Sequence, residues 1–311
     1  MRIDVVASEM HYLDHMLPIF EALPPEMQGR VHPLRPEPLA PQHGRAAMVA
    51  GWSDLARLRC RKIYVEHGSG QGYGGDPMSS WNPGYSSSGG RQHSGVIGYV
   101  APSQSVAGRW LKPSVAVGCP KMDRYMDLEP ETTNAICFAW HWDCKASPES
   151  SSALPHYQAG LPHLIMDLKR RGFVVFAHAH PRWKDQLDDW FHAAGFDAVL
   201  NSDDQVFRQS NLLVMDNSSL MYEFASLGRP VVALNAPWFR RSINHGLRFW
   251  SHVPGVQVDD IEDLMDLDWV AEMGGQSDYL RAAAVAEAYA FTDGRSAERA
   301  ATWVTAMLEK M

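Results

Sequence analysis

The segment from Leu212 to Leu234, LLVMDNSSLMYEFASLGRPVVAL, limits the fold more than any other. It opens on an unbroken apolar run, which suits a strand buried on both faces. A polar turn follows, Asp216-Asn217-Ser218-Ser219, and then a short helical segment. Gly228-Arg229-Pro230 stops that helix before the next apolar run, VVAL. Two buried strands joined by a helix must run parallel, and a parallel sheet needs helices on its faces. The same alternation fills the stretch before it. NAICFAWHW, FVVFAHAHP, DAVLNS and NLLVMD read as strands, separated by helical segments in SSALPHYQAGLPHLIMDLKRRG, KDQLDDWFHAAG and DQVFRQS.

The first half repeats the pattern less regularly. IDVVAS, KIYVEHGSG, GVIGYVAPS and SVAVGCP read as strands, with helices in HYLDHMLPIFEAL and QSVAGRWL. Residues 68–95 hold nine Gly and seven Ser with no hydrophobic period, so they form a long loop carrying Tyr73, Trp81 and Tyr85. Such a loop is either an insertion or a lid that orders over a ligand. The polar, Pro-containing MDLEPETT marks a boundary near residue 130. The 311 residues exceed what one compact core usually holds. The expectation is an α/β protein of two Rossmann-like doubly wound domains facing each other across a cleft, with ligands at the carboxyl ends of the strands.

Composition narrows the function. A formal net charge of −8 counts against broad nucleic-acid binding, which needs a basic face. The four cysteines are too few and irregular for a disulfide framework, and no apolar run reaches a membrane-spanning length. A cytoplasmic protein with no membrane span is expected. Cys137, His141 and Cys144 are close in sequence, but AICFAW reads as buried strand and no fourth ligand is evident. Acidic pairs such as Asp203-Asp204 and Asp259-Asp260 read as solvated faces. No metal and no cofactor are therefore expected.

Polar residues stop the strands where ligands bind. Ser218 and Ser219 are either plain helix caps or a cradle for a diphosphate. Glu223 lies one helical turn later and is either a solvated side chain or an acceptor for ribose hydroxyls. His67 and His180 are either structural or catalytic, with His67 suited to a general base and His180, beside Arg182, to a leaving phosphate. Arg295 and Arg299 sit near the start of a C-terminal helix capped by Ser296 or Asp293.

Taken together these segments resemble the CDP-glycerol glycerophosphotransferases of the teichoic-acid polymerase family. VMDNSSLMYEFASLGRPVV is similar to that family's Asp-Tyr-Ser-Ser segment, with Asn217 in place of the Tyr. AHAHPRW resembles its His-Pro-Arg strand end, VGCPKMDRY its Gly-Tyr-Pro-Arg-x-Asp segment, EHGSG its His-Gly turn and FTDGRSAER its closing motif. The resemblance implies the GT-B glycosyltransferase architecture: an acceptor-side domain over 1–130, a nucleotide-donor domain over 131–294, and a helix over 295–311 that crosses back. It implies His67 and His180 as catalytic residues. Arg182, Asp216, Asn217, Ser218, Ser219, Glu223, Arg295 and Arg299 would bind the donor, and Glu9, His11, Gly68 and Tyr73 would face the acceptor.

The function expected is metal-independent transfer of a sugar or glycerol phosphate from a nucleotide diphosphate donor, CDP-glycerol or a nucleotide sugar, to an acceptor hydroxyl. Three alternatives stand beside it. One is a glycosyltransferase acting on hydroxymethylated bases in DNA, suggested by the interleaved Arg and aromatic residues of WFRRSINHGLRFW. The others are a nucleotide-sugar epimerase and a non-catalytic nucleotide-sugar binding protein.

Overall fold

The computed structural model describes residues 1–33, 46–69, 95–108, 112–143, 148, 151–241 and 252–310. They form two compact units. The first takes in residues up to Ser69, those from 95 to Met126 and those from Glu287 onward; the second runs from Asp127 to Ala286.

The first unit begins with β1 (Ile3–Ala7), α1 (Met10–Ala22), β2 (Gln28–Pro33), β3 (Ala46–Val49), α2 (Trp52–Arg57) and β4 (Arg61–Val65). It continues with β5 (Val96–Ala101), α3 (Gln104–Ala107), β6 (Ser114–Ala116) and a 3-10 turn at Pro120–Tyr125. The second unit holds β7 (Ala135–Trp140), α4 (Leu154–Tyr157), α5 (Leu161–Arg170), β8 (Val174–Ala179), α6 (Lys184–Ala194), β9 (Ala198–Leu200) and α7 (Asp203–Gln209). After these come β10 (Leu212–Met215), α8 (Leu220–Ser226), β11 (Val231–Leu234), β12 (Gly255–Val258), α9 (Ile261–Asp266) and α10 (Trp269–Met273). The chain then passes through α11 (Asp278–Ala288) back into the first unit, where α12 (Ser296–Glu309) ends it.

Each unit is built on a six-stranded, all-parallel sheet. The strand order is β2-β1-β3-β4-β5-β6 in the first and β12-β11-β10-β7-β8-β9 in the second. The order reverses beside β1 in one sheet and beside β7 in the other, which is where open parallel sheets hold their ligands. The α/β, Rossmann-like expectation holds for both units. The second unit explains why its sequence was so regular. Every residue of β7, β10 and β11 is buried, so these strands carry apolar runs and not alternation. On α5, Leu161, Leu164, Ile165 and Leu168 fall on one face and enter the core beneath β7 and β8.

The first unit contains two strands the sequence did not announce. QGRVHP and AAMV are short, and the first is largely polar. They become strands because β1 offers a hydrogen-bonding edge on each side. The core of this unit joins Val5, Met48 and Ile63 to Met16 and Ile19 of α1 and to Ala300, Val304 and Leu308 of α12.

The start of α12 corrects the expected cap. Neither Ser296 nor Asp293 caps the helix by its side chain. The Asp123 carboxylate, from the VGCPKMDRY segment, accepts the N–H groups of Ser296 (3.0 Å) and Ala297 (2.7 Å). Gly118 of the same segment has φ +93°, and a Cβ there would stand 2.4 Å from the Phe291 carbonyl oxygen. Two motifs far apart in sequence are thus one structural joint. Arg229 is a second joint. Its buried guanidinium donates to the carbonyls of Phe207, Ser210 (3.1 Å) and Leu128, fixing the α8–β11 turn, while burial lowers its pKa.

Candidate active site

In the second unit the candidate residues sit on the ends of three neighbouring strands, β10, β7 and β8. Asp216 ends β10 and is fully buried. Its Oδ1 accepts the N–H groups of His141 (2.8 Å) and Asn217 (2.7 Å). Its Oδ2 accepts the Ser152 hydroxyl (2.7 Å) and the Ala153 N–H (2.8 Å). Burial pushes the carboxyl above its ordinary pKa, against the pull of these four donors. Asp216 is therefore a strut that ties the end of β10 to the segment after β7. Asn217 is also buried.

Ser218 and Ser219 are half-buried. The Ser218 hydroxyl accepts the Leu220 N–H at 3.2 Å. Ser219 stands at the cap position of α8, yet its side chain makes no capping hydrogen bond. Glu223 is 1 % exposed, which overturns the solvated reading and leaves the carboxylate inside the structure.

His180 and Arg182 follow β8. The Arg182 N–H donates to His180 Nδ1 at 3.1 Å, so the neutral ring carries its proton on Nε2. His178, two residues earlier, is turned away from them. Its buried ring holds the Leu200 carbonyl (2.8 Å) and faces Asp203 (3.4 Å).

In the first unit the candidates gather after β1 and β4. The half-buried His67 ring meets Tyr12 edge-on at 4.8 Å and lies 6.4 Å from the buried His15. Glu9 and His11 are neighbours at 3.7 Å, and His11 stacks obliquely on Tyr12 at 4.2 Å. Gly68 is buried, and Ser69 next to it donates to the Ala288 carbonyl at 2.9 Å. Tyr73 and the rest of the loop from residue 70 to 94 lie outside the described residues.

Arg295 and Arg299 are bonded to acids of their own segment. Arg295 holds Glu298 at 2.8 and 3.0 Å. Arg299 holds Asp293 through both oxygens at 2.6 and 2.5 Å and stacks over Phe291. These bonds draw the Asp293 pKa down to about 2. The acidic pairs also have local work. Asp204 pairs with Arg208, while Asp260 and Asp268 cap α9 and α10. Cys137 is buried in β7, where burial pushes its thiol pKa up; Cys144 lies outside the described residues. Of WFRRSINHGLRFW, residues 242–250 lie outside them too. Trp238 packs against the core and Arg241 is paired with Asp259.

Sequence reasoning missed Trp142, and it weighed His141 only as a metal ligand and not as a neighbour of His180. Trp142 carries the Arg182 guanidinium over its ring at 4.8 Å, and the His141 ring meets His180 at 5.5 Å. Their signal was present: two polar aromatics directly after a buried strand, the pattern that singled out His180.

Three comparisons place this geometry among known proteins. No curated protein matches the sequence. Among solved structures, the wall teichoic acid polymerase TagF is 12% identical, with a TM-score of 0.62 over 99% of this chain and 89% of that one. The UDP-GlcNAc 2-epimerase of Methanocaldococcus jannaschii, solved with UDP-GlcNAc and UDP, is 11% identical, with a TM-score of 0.61 over 98% of this chain and 100% of that one. Both likenesses are of fold, and the fold is GT-B. Among the described residues no helix is long and apolar enough to cross a membrane. The family model for CDP-glycerol:poly(glycerophosphate) glycerophosphotransferase matches residues 113–306, more than half of the chain and the whole span from β7 to the start of α12. The chain belongs to that family, and it is a GT-B transferase.

Proposed function

We propose that the protein is a metal-independent enzyme that transfers a sugar or a glycerol phosphate from a nucleoside diphosphate donor to an acceptor hydroxyl. The observation that carries this reading is the placement of His180 with Arg182 and of the Asp216–Ser219 turn on the strands flanking β7, where the strand order reverses. Family membership supports the transferase chemistry, and a TagF variant of the same fold was soaked with CDPG.

In glycerol phosphate transfer the acceptor oxygen attacks the glycerol-bearing phosphorus, the bridging P–O bond breaks, and a nucleoside monophosphate leaves. In sugar transfer the anomeric C–O bond breaks and a nucleoside diphosphate leaves. In either case His67 takes the acceptor proton. His180, Arg182 and the hydroxyls of Ser218 and Ser219 meet the charge that grows on the leaving phosphate. Glu223 accepts hydrogen bonds from the ribose. Glu9 and His11 face the acceptor. The four cysteines are too few and too irregularly spaced for a disulfide framework, which supports a reducing compartment, and we place the enzyme in the cytoplasm.

The test is thermal-shift screening of CDP, UDP, GDP and ADP, with their glycerol and sugar conjugates, with and without magnesium. A ligand at about 100 Kd adds roughly 2.7 kcal/mol, a readable shift. One nucleoside diphosphate should stabilise the protein selectively, equally with and without magnesium. With its conjugate as donor, His67→Ala and His180→Ala should each lower turnover by about 10²–10⁴-fold. No shift with any of the nucleotides, or full turnover in both variants, overturns the reading. Conversion of the donor without an acceptor would point to the epimerase.

A further inference from the structure

β7 lies between the two strands whose ends the family motifs mark, and its own end is occupied by His141 and Trp142. The β7–β8 register pairs Trp140 with Ala179, and His180 donates its N–H to the Trp140 carbonyl at 2.9 Å. The ladder therefore continues one step past the strands and sets residues 141 and 142 beside 180 to 182. On the other side, Asp216 fixes the same segment through the His141 N–H. The Trp142 ring lies 6.1 Å from the His180 ring, and the Arg182 guanidinium sits over the indole at 4.8 Å.

We propose that Trp142 is a positioning residue for the diphosphate of the donor. Its indole holds Arg182 and His180 in one arrangement before the ligand arrives. The proposal rests on the transferase reading above. A side chain already set in its binding orientation has less freedom to lose when the ligand arrives, which strengthens affinity. The indole face attracts the guanidinium through its ring quadrupole and excludes water from one side of it. Because Asp216 anchors the peptide leading to Trp142, the turn after β10 and the His-Pro-Arg end of β8 are set by a common support. The benefit falls on phosphate groups and not on the nucleoside.

The experiment is calorimetric titration of the best-binding nucleoside diphosphate among CDP, UDP, GDP and ADP, and of its nucleoside. It compares the wild type with Trp142→Leu, Trp142→Phe, Arg182→Gln and the Trp142→Leu/Arg182→Gln double variant. Trp142→Leu should weaken the diphosphate about tenfold. Nucleoside binding should change less than about twofold. Trp142→Phe, which keeps an aromatic face, should retain most of the affinity. The double variant should bind no more than about twofold worse than Arg182→Gln alone, because the two residues act as one. Equal weakening of nucleoside and diphosphate in both Trp142 variants would mark a merely structural tryptophan, and additive losses in the double variant would mark independent residues. Either result overturns the proposal while leaving the transferase reading intact. A wild type that binds no diphosphate more tightly than its nucleoside overturns the transferase reading, and the proposal with it.

Discussion

Both units use a buried carboxylate at the place where the strand order reverses, and they use it to different extents. In the first unit Asp54, on the helix after β3, reaches across to the end of β1 and accepts the Ser8 N–H at 3.0 Å. In the second, Asp216 after β10 reaches across to the end of β7 and accepts four donors from four residues. Burial raises the pKa of both. The difference lies in what each would leave behind. Four donors aimed at one carboxylate define an acceptor-only site that an amide cannot fill, whereas a site built around one residue tolerates an amide. The space is tight in the first unit as well: a Cβ on Gly51 would stand 2.7 Å from the Tyr12 ring and 2.8 Å from Asp54 Oδ2.

The largest expected effect comes from the saturated site. In Asp216→Asn one face of the amide must present N–H groups to N–H donors, stranding buried polar groups. A loss of about 3 kcal/mol is expected in urea unfolding, with diphosphate binding falling alongside it. A loss below about 1 kcal/mol would erase the contrast between the two sites. Next is Asp123→Ala, which strips the first two N–H groups of α12 of their shared acceptor. It should cost about 1–2 kcal/mol by the same measurement. A neutral result would mean that the helix start rests on the apolar face of α12 alone.

Asp54→Asn sharpens the comparison from the other side. Asn keeps an acceptor for the Ser8 N–H and removes the burial penalty on a charge. A carboxyl whose folded pKa is raised disfavours the fold above that value, and the penalty vanishes below the unfolded value of 3.8. Asp54→Asn should therefore melt slightly higher than wild type at pH 7, and the gap should close as the pH falls toward 3.8. A lower melting point at pH 7 would show that the Asp54 site, like that of Asp216, requires a carboxylate. The smallest effect belongs to Asp293, whose pKa is depressed to about 2 by its exposed bonds with Arg299. Its sign is opposite. The contribution is full at neutral pH and is lost as the pH falls from about 4 toward 2. Asp293→Asn should lower the melting point slightly at pH 7, and the difference should shrink from about pH 4 downward and vanish only below about pH 2.

The candidate site was legible wherever one segment carried its own explanation. FVVFA ending in His-Ala-His-Pro-Arg and LLVM ending in Asp-Asn-Ser-Ser announce buried strands with polar ends, and β8 and β10 are those strands. The role of Asp216 was not legible in that way. A strand-end aspartate looks the same whether its oxygens face a ligand or four protein donors, and two of those donors, Ser152 and Ala153, come from residues 64 and 63 positions away. Glu223 likewise carries no local sign of burial, because an acid on a short helix is indistinguishable from a solvated one until the surrounding elements close over it.

By itself the sequence determined the α/β class, the parallel sheets and the polar strand ends. These follow from periodicity and turn chemistry, which act over a few residues. The tertiary structure alone decided the rest. It made strands of QGRVHP and AAMV by giving them an edge to pair with. It supplied the α12 cap from Asp123, 173 residues before Ser296. It also placed Trp142 under Arg182. Each of these depends on a hydrogen-bond or stacking partner that chain folding brings close, and the identity of such a partner is absent from the local pattern on either side.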